Sequence, residues 1–194
     1  MTGLLDYVGR MFGKRQPKVD FSSPIKLHIG GKVPRESWLI FDALDGDHVD
    51  IIGDCMGLSM FPDESCSDIY CSHVLEHLSH RDELPQVLNE FRRMLTKDGE
   101  LRLSVPDLDV LCRLFLSKDL SLEDKVFVVK VIYGGQLDPY DFHKTGFNQE
   151  ILISWMRECG FAHLERVDLF GLFPDSSASM IKGQPISINI IATK

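Results

Sequence analysis

Residues 49–78 read VDIIGDCMGLSMFPDESCSDIYCSHVLEHL. Two short apolar runs stand out, Val49 to Ile52 and Asp68 to Ser72, and each runs out into polar residues. The first meets Gly53-Asp54-Cys55-Met56 and the second meets His73-Val74-Leu75-Glu76-His77. Short apolar runs bounded by turn residues are the pattern of strands buried on both faces. In an open α/β sheet, ligands bind just outside the carboxyl ends of the strands. Asp54, His73 and Glu76 are therefore placed where a site is expected.

Outward from this stretch, strand and helix patterns alternate, which predicts a mostly parallel sheet. Ile25 to Ile29 ends at Gly30-Gly31, and Trp38 to Phe41 ends at Asp42. Leu84, Val87, Leu88, Phe91, Met94 and Leu95 recur at helical spacing, with Asp82 as N-cap and Pro85 in the first turn. Lys97-Asp98-Gly99 reads as a turn, and Leu101, Leu103 and Val105 alternate as a fifth strand stopped by Pro106. Helices are expected over Leu108 to Leu116, over Leu122 to Ile132 with Ser121 as cap, and from Asn148 through Glu158 with Gly160 as stop. The stripe Val126, Phe127, Val129, Val131 is expected in the core or as a cover over the site. Leu164 to Phe170 and Ile186 to Ala192 are the last strands. They are expected to pair as a hairpin at one sheet edge, joined by the loop Pro174 to Gln184.

The chain has 194 residues, enough for one well-buried domain. We divide it into a domain over 25–194 and, before it, an N-terminal amphipathic helix and linker over 1–24. In that segment Leu4, Leu5, Val8, Met11 and Phe12 fall at helical spacing and basic residues follow. A helix capping the domain is the plainer reading, and contact with an anionic membrane is the alternative. A net charge of −8 argues against a nucleic-acid partner. Five cysteines, none in CxxC spacing, suggest reduced thiols in a cytoplasmic protein rather than a disulfide framework.

In this order, the residues resemble a class I S-adenosylmethionine-dependent methyltransferase of the type 11-like group. Lys26-Leu27-His28-Ile29-Gly30-Gly31 matches the glycine loop after the first strand, and Asp42 matches the acid closing the second. Gly53-Asp54-Cys55 through Met60-Phe61-Pro62-Asp63 resembles the segment GDA…LPF.D. His73 to Leu78 matches H.LEH, and Leu95 to Leu101 matches the turn before strand five. The resemblance implies a Rossmann-like, doubly wound, seven-stranded, mostly parallel sheet with an antiparallel last strand, and S-adenosylmethionine as methyl donor. It also implies a cofactor site of His28, Gly30, Gly31, Asp42, Asp54, Cys55, Met56, Ser72 and His73. Asp42 would meet the ribose hydroxyls, and Asp54 the adenine amine. Two departures accompany it: His28 stands at the acid position of the glycine loop, and Lys32 at its second glycine. The spacing from Gly30 to Asp42 also predicts a first crossover shortened to a turn around Pro34–Ser37.

Each of these residues has a plainer reading. Asp42 and Asp54 also suit simple turns, and Asp107 suits a helix N-cap. The loop Asp138 to Lys144 offers His143 as a general base for a hydroxyl acceptor, or as a surface loop anchored by its aromatics. His73 is the second imidazole at the mouth. His73-Val74-Leu75-Glu76-His77 also spells the H-x-x-E-H signature of inverted zinc peptidases, but it follows a strand directly. No metal is expected. The expected activity is O-methylation of a small or carbohydrate-like acceptor by direct displacement. The alternative is a methyltransferase-fold protein that has lost the reaction and acts as a binding or regulatory subunit.

Overall fold

The computed structural model describes residues 19–194. The expected N-terminal helix lies outside these residues. Within the expected linker, Phe21 sets its ring edge-on against Phe61, with centroids 6.0 Å apart, so this part of the segment is packed onto the domain.

Seven strands form one sheet in the order β3-β2-β1-β4-β5-β9-β6. They are β1 (Ile25–Ile29), β2 (Trp38–Asp42), β3 (Ile51–Ile52), β4 (Cys66–Ser72), β5 (Leu95–Pro106), β6 (Ala162–Val167) and β9 (Ser187–Thr193). A small hairpin, β7 (Met180–Ile181) with β8 (Gln184–Pro185), stands apart. The helices are α1 (Glu83–Met94), α2 (Leu108–Leu116), α3 (Leu122–Tyr133) and α4 (Gln149–Glu158). β1 to β5 pair in parallel, and β9 runs antiparallel to both β5 and β6. The expected seven-stranded sheet with a reversed last strand is therefore present.

Strand alternation sorts the side chains into two faces. Leu27, Ile69, Leu101 and Ile190 point to one face, where Val87 and Phe91 of α1 and Leu152 and Met156 of α4 close over them. Lys26, Asp68 and Arg102 point to the other. There Asp68 accepts from Arg102 at 2.7 Å and pairs with Lys26 at 3.3 Å. Further along the same face, His28, Trp38 and Tyr70 are covered by Phe173, with Phe170 and Leu172 packed alongside. The crossover from β1 to β2 holds no helix, only a turn. The segment after β6 lies where a crossover helix would pack.

Three expectations need correction. β6 ends at Val167 rather than Phe170, because the chain peels away to bring Phe170 and Phe173 onto His28 and Tyr70. The last two strands pair antiparallel at one edge of the sheet, as expected, with β9 beside β5 and β6 outermost. The turn at Lys97–Gly99 is a bulge inside β5: Cys66 faces Leu95 while Asp68 faces Glu100. Finally, Val126, Phe127 and Val129 are exposed. α3 packs against α2 and the β7–β8 hairpin through Val128, Val131 and Ile132.

Candidate functional site

A cavity of about 450 Å³ opens at the carboxyl ends of β1, β2 and β4, within the ordinary range of small-molecule sites. Gly30, Asp42, Asp54, Cys55, Met56 and His73 line it. Their convergence follows from topology, since β1 lies between β2 and β4 and all three run in parallel. Gly30 adopts φ +73°, and a Cβ there would lie 2.5 Å from Val74 Cγ2. Only glycine makes this turn so close to the chain leaving β4.

Asp42 is nearly buried at the end of β2. Its Oδ1 accepts from Leu44 N at 2.8 Å and its Oδ2 from Lys32 Nζ at 2.6 Å. Lys32, the residue at the second-glycine position, thus reaches the acid that would meet a ribose. Asp54 caps a 3₁₀ turn over Cys55–Met60 by accepting from Met56 N at 2.8 Å. Asp54 thus makes the turn and also lines the cavity. Burial pushes the Cys55 thiol up to about 12, so the residue offers its backbone and not a thiolate.

His28 and Ser72 point to the opposite face of the sheet and do not line the cavity. The His28 ring tilts against Phe173 with centroids 4.1 Å apart, and its Nδ1 is buried without a partner. Desolvation lowers its pKa to about 4. Gly31 serves that packing, since a Cβ there would meet the His28 ring at 2.7 Å.

At the other end of the cavity, His73 leaves β4 with φ +55°, a left-handed conformation costly for a residue with a Cβ. Its amide donates to Ser104 O at 2.9 Å. Ser187 Oγ donates to Ser176 O at 2.9 Å and lies 2.9 Å from His73 Nε2. With its proton engaged, Ser187 Oγ accepts from His73, which places the imidazole proton on Nε2. The lone pair on Nδ1 then faces Glu76 Oε1 at 3.3 Å.

Glu76 is 1% exposed, and neither carboxylate oxygen accepts a hydrogen bond from the described residues. Burial pushes its pKa up to about 8. Its main-chain carbonyl is well satisfied, accepting from the amides of Lys144 and Thr145 at 2.7 and 3.1 Å. This clamp draws the loop 134–147 over the cavity mouth. Gly134 turns the loop at φ +85°, where a Cβ would lie 2.2 Å from Asp141 O. Asp141 accepts from Gly135 N and Leu137 N, and His143 N donates to Tyr133 O. His143 is thereby set 4.0 Å from Glu76 Oε1 and edge-on to His77, whose Nδ1 donates to Phe142 O at 3.3 Å. Desolvation, reinforced by His77, lowers His143 to about 4, and desolvation lowers His73 to about 4. Both imidazoles are neutral at pH 7.

His143 stands behind His77 rather than in the cavity wall. Asp107 caps α2 through Asp109 N and Val110 N and pairs with Arg166 at 3.3 Å, which is the structural reading of that residue. The peptidase geometry is not met, since His73 sits at a strand end and only Leu75–His77 form a short 3₁₀ turn. Sequence reasoning placed Glu76 where a site is expected, without anticipating its burial, and passed over Ser187. The signal for Glu76 was its place between two histidines in one short motif.

Residues 38–103, from β2 into β5, match a family model described as a methyltransferase domain. Among solved structures, the chain is similar to a SAM-dependent methyltransferase from Archaeoglobus fulgidus, at 16% identity and TM-score 0.56, covering 98% of this chain and 91% of that one. It is similar to an S-adenosylmethionine-dependent methyltransferase from Mesorhizobium loti at 12% identity and TM-score 0.53, covering 88% and 90%. It is also similar to the CurJ carbon methyltransferase at 16% identity and TM-score 0.54, covering 91% of this chain and half of that one. No curated protein matches the sequence. These likenesses show the fold. With the family match they support a class I S-adenosylmethionine-dependent methyltransferase, the resemblance carried by the sequence. No helix among the described residues is long and apolar enough to cross a membrane.

Proposed function

We propose that this class I methyltransferase domain holds S-adenosylmethionine in the cavity at the ends of β1, β2 and β4 and methylates a small hydroxyl-bearing acceptor, carbohydrate-like in character. The observation that carries this reading is the convergence of Gly30, Asp42 and Asp54 on one cavity. The donor set suits the cofactor: Asp42 offers carboxylate oxygens to vicinal hydroxyls, Asp54 an acceptor for an exocyclic amine, and the Gly30 turn a close backbone approach. When bound, the sulfonium supplies an activated methyl group.

The chain's own residues hold the donor, orient the acceptor and take up its proton. The loop 134–147 forms the acceptor side, with Tyr140 and Lys144 on the cavity wall. As the acceptor oxygen gains the methyl group, its proton passes to a neutral imidazole, His143 or His73, and the carboxyl group of Glu76 stands beside both. Burial limits water at this point, and with it competing proton exchange. Reduced thiols and a net charge of −8 suit a cytoplasmic enzyme with a small-molecule acceptor.

Lys32 favours the second reading, a fold retained for binding or regulation, because its ammonium already engages Asp42. Calorimetric titration with S-adenosylhomocysteine separates the two. Micromolar binding that is lost in Asp54→Ala supports the enzyme. No binding by the wild type leaves the inert scaffold.

A further inference from the structure

We propose that Glu76, His77 and His143 form a binding site for one divalent transition-metal ion, open toward the cavity and suited to holding a hydroxyl oxygen of an acceptor. This departs from the sequence expectation of no metal. It deepens the proposed function by giving the acceptor end of that cavity a Lewis acid, and with His143 holding the ion the proton-accepting role falls to His73, which lines the cavity.

One ligand atom from each of the three residues lies within 4.8 Å of the other two. Ligands sharing one ion at about 2.0–2.2 Å sit roughly 3 to 4 Å apart, so closure needs a shift of about 1 Å or less per side chain. The independent observation is Glu76. A carboxyl group at 1% exposure, with no hydrogen bond to either oxygen from the described residues, is a costly arrangement unless something is meant to meet it. What faces it are two imidazole nitrogens, His73 Nδ1 at 3.3 Å and His143 Nε2 at 4.0 Å. The hydrogen bonds of Ser187 place the His73 ring proton on Nε2, so His73 Nδ1 offers Glu76 no proton. A cation bound by Glu76 would meet the oxygens that the described residues leave without a partner.

One imidazole is also prepared as a ligand. His77 donates its Nδ1 proton to Phe142 O, which leaves Nε2 with a lone pair. Donation of the second ring N–H to a main-chain carbonyl is the usual way a metal-binding histidine is oriented. His143 is placed by its amide, which donates to Tyr133 O, and its Nε2 lies 4.0 Å from Glu76 Oε1. Two nitrogens and one carboxylate oxygen suit zinc or ferrous iron, whereas magnesium takes oxygen donors. Three protein ligands leave a coordination position for water or substrate. His77 lines the cavity, so that position is reachable from it.

The test is a Zn²⁺ titration of the purified, chelator-stripped full chain. It should show one ion per chain, with affinity at least tenfold weaker in His77→Ala, His143→Ala and the near-isosteric Glu76→Gln. Bound Zn²⁺ should raise the melting temperature of the wild type and leave those of the variants unmoved, while Mg²⁺ moves none of them. Circular dichroism confirms that each variant is folded. Cobalt substitution should show no thiolate charge-transfer band, which excludes the exposed Cys112 as ligand. No retained Zn²⁺, equal affinity in the variants, or a thiolate band would each overturn the site. S-adenosylhomocysteine binding without Zn²⁺ binding sinks this inference alone. Zn²⁺ binding without the nucleoside sinks the proposed function alone.

Discussion

The ammonium of Lys32 lies 2.6 Å from Asp42 Oδ2, while the other oxygen of Asp42 accepts from Leu44 N. The acid best placed for a ribose therefore has an internal cation on it. Lys32 is 62% exposed along its side chain, so it swings into solvent at little cost. Replacing it with Gly should tighten S-adenosylhomocysteine binding by a few-fold, and Asp42→Asn should weaken it tenfold or more. Calorimetry on both variants checks this. Weaker binding in Lys32→Gly would make the lysine a contact rather than a competitor.

His143→Asn should leave S-adenosylhomocysteine affinity unchanged and lower turnover by roughly 10² to 10⁴, the usual contribution of a positioned base. The comparison needs an acceptor, found by following S-adenosylhomocysteine release across a panel of hydroxylated compounds. An equal loss in binding and turnover would assign His143 to loop architecture instead.

Stability of the metal-free protein should peak near pH 6.5. His28, His73 and His143 are lowered to about 4 in the fold, and His77 is lowered as well. The unfolded chain then binds more protons between about pH 4 and 6.5, so stability falls as pH drops through that window. Glu76 is raised to about 8, so the folded state binds the extra proton between about pH 4.5 and 8. Its contribution is lost as pH rises toward 8, and above pH 6.5 it acts unopposed by the histidines. Urea unfolding across pH 5 to 8.5 reads the curve, and Glu76→Gln should abolish the alkaline decline.

Phe173→Ala should destabilise by about 3 kcal/mol and lower the melting temperature by on the order of 10 °C, because the ring closes over His28, Trp38 and Tyr70. A shift of only a degree or two would mean that the segment after β6 rests on the sheet without sealing it.

β1 to β4 were readable because each is a short apolar run ending at glycine or a polar residue, and α1 because Leu84, Val87, Leu88 and Phe91 share a face. Asp42 and Asp54 were readable from their places at strand ends. The end of β6 was not: Leu169 and Phe170 extend an apolar pattern, and only the partners Tyr70 and His28, distant in sequence, draw the chain off the edge. The exposed stripe of α3 was misread because an apolar helix face says nothing about whether a neighbour exists to cover it. Lys32 was visible as a departure from the glycine pattern, but its ion pair with Asp42 depends on a turn that spacing alone does not describe. Glu76 was readable as a carboxylate beside a strand end, but its burial was not, since that comes from the loop 134–147 folding back onto its carbonyl.

The segment that closes over β1 enters the chain more than a hundred residues after it, and Arg35 ties the two together by donating to Leu172 O. Each such closure must wait for a very long stretch of chain to be in place, which slows folding. The cover over this face of β1 thus depends on chain that follows β6. A fragment ending after α4 would keep every residue proposed to hold the donor and still leave His28 and Tyr70 bare to water. Two complementary fragments divided there should recover a competent site only on mixing.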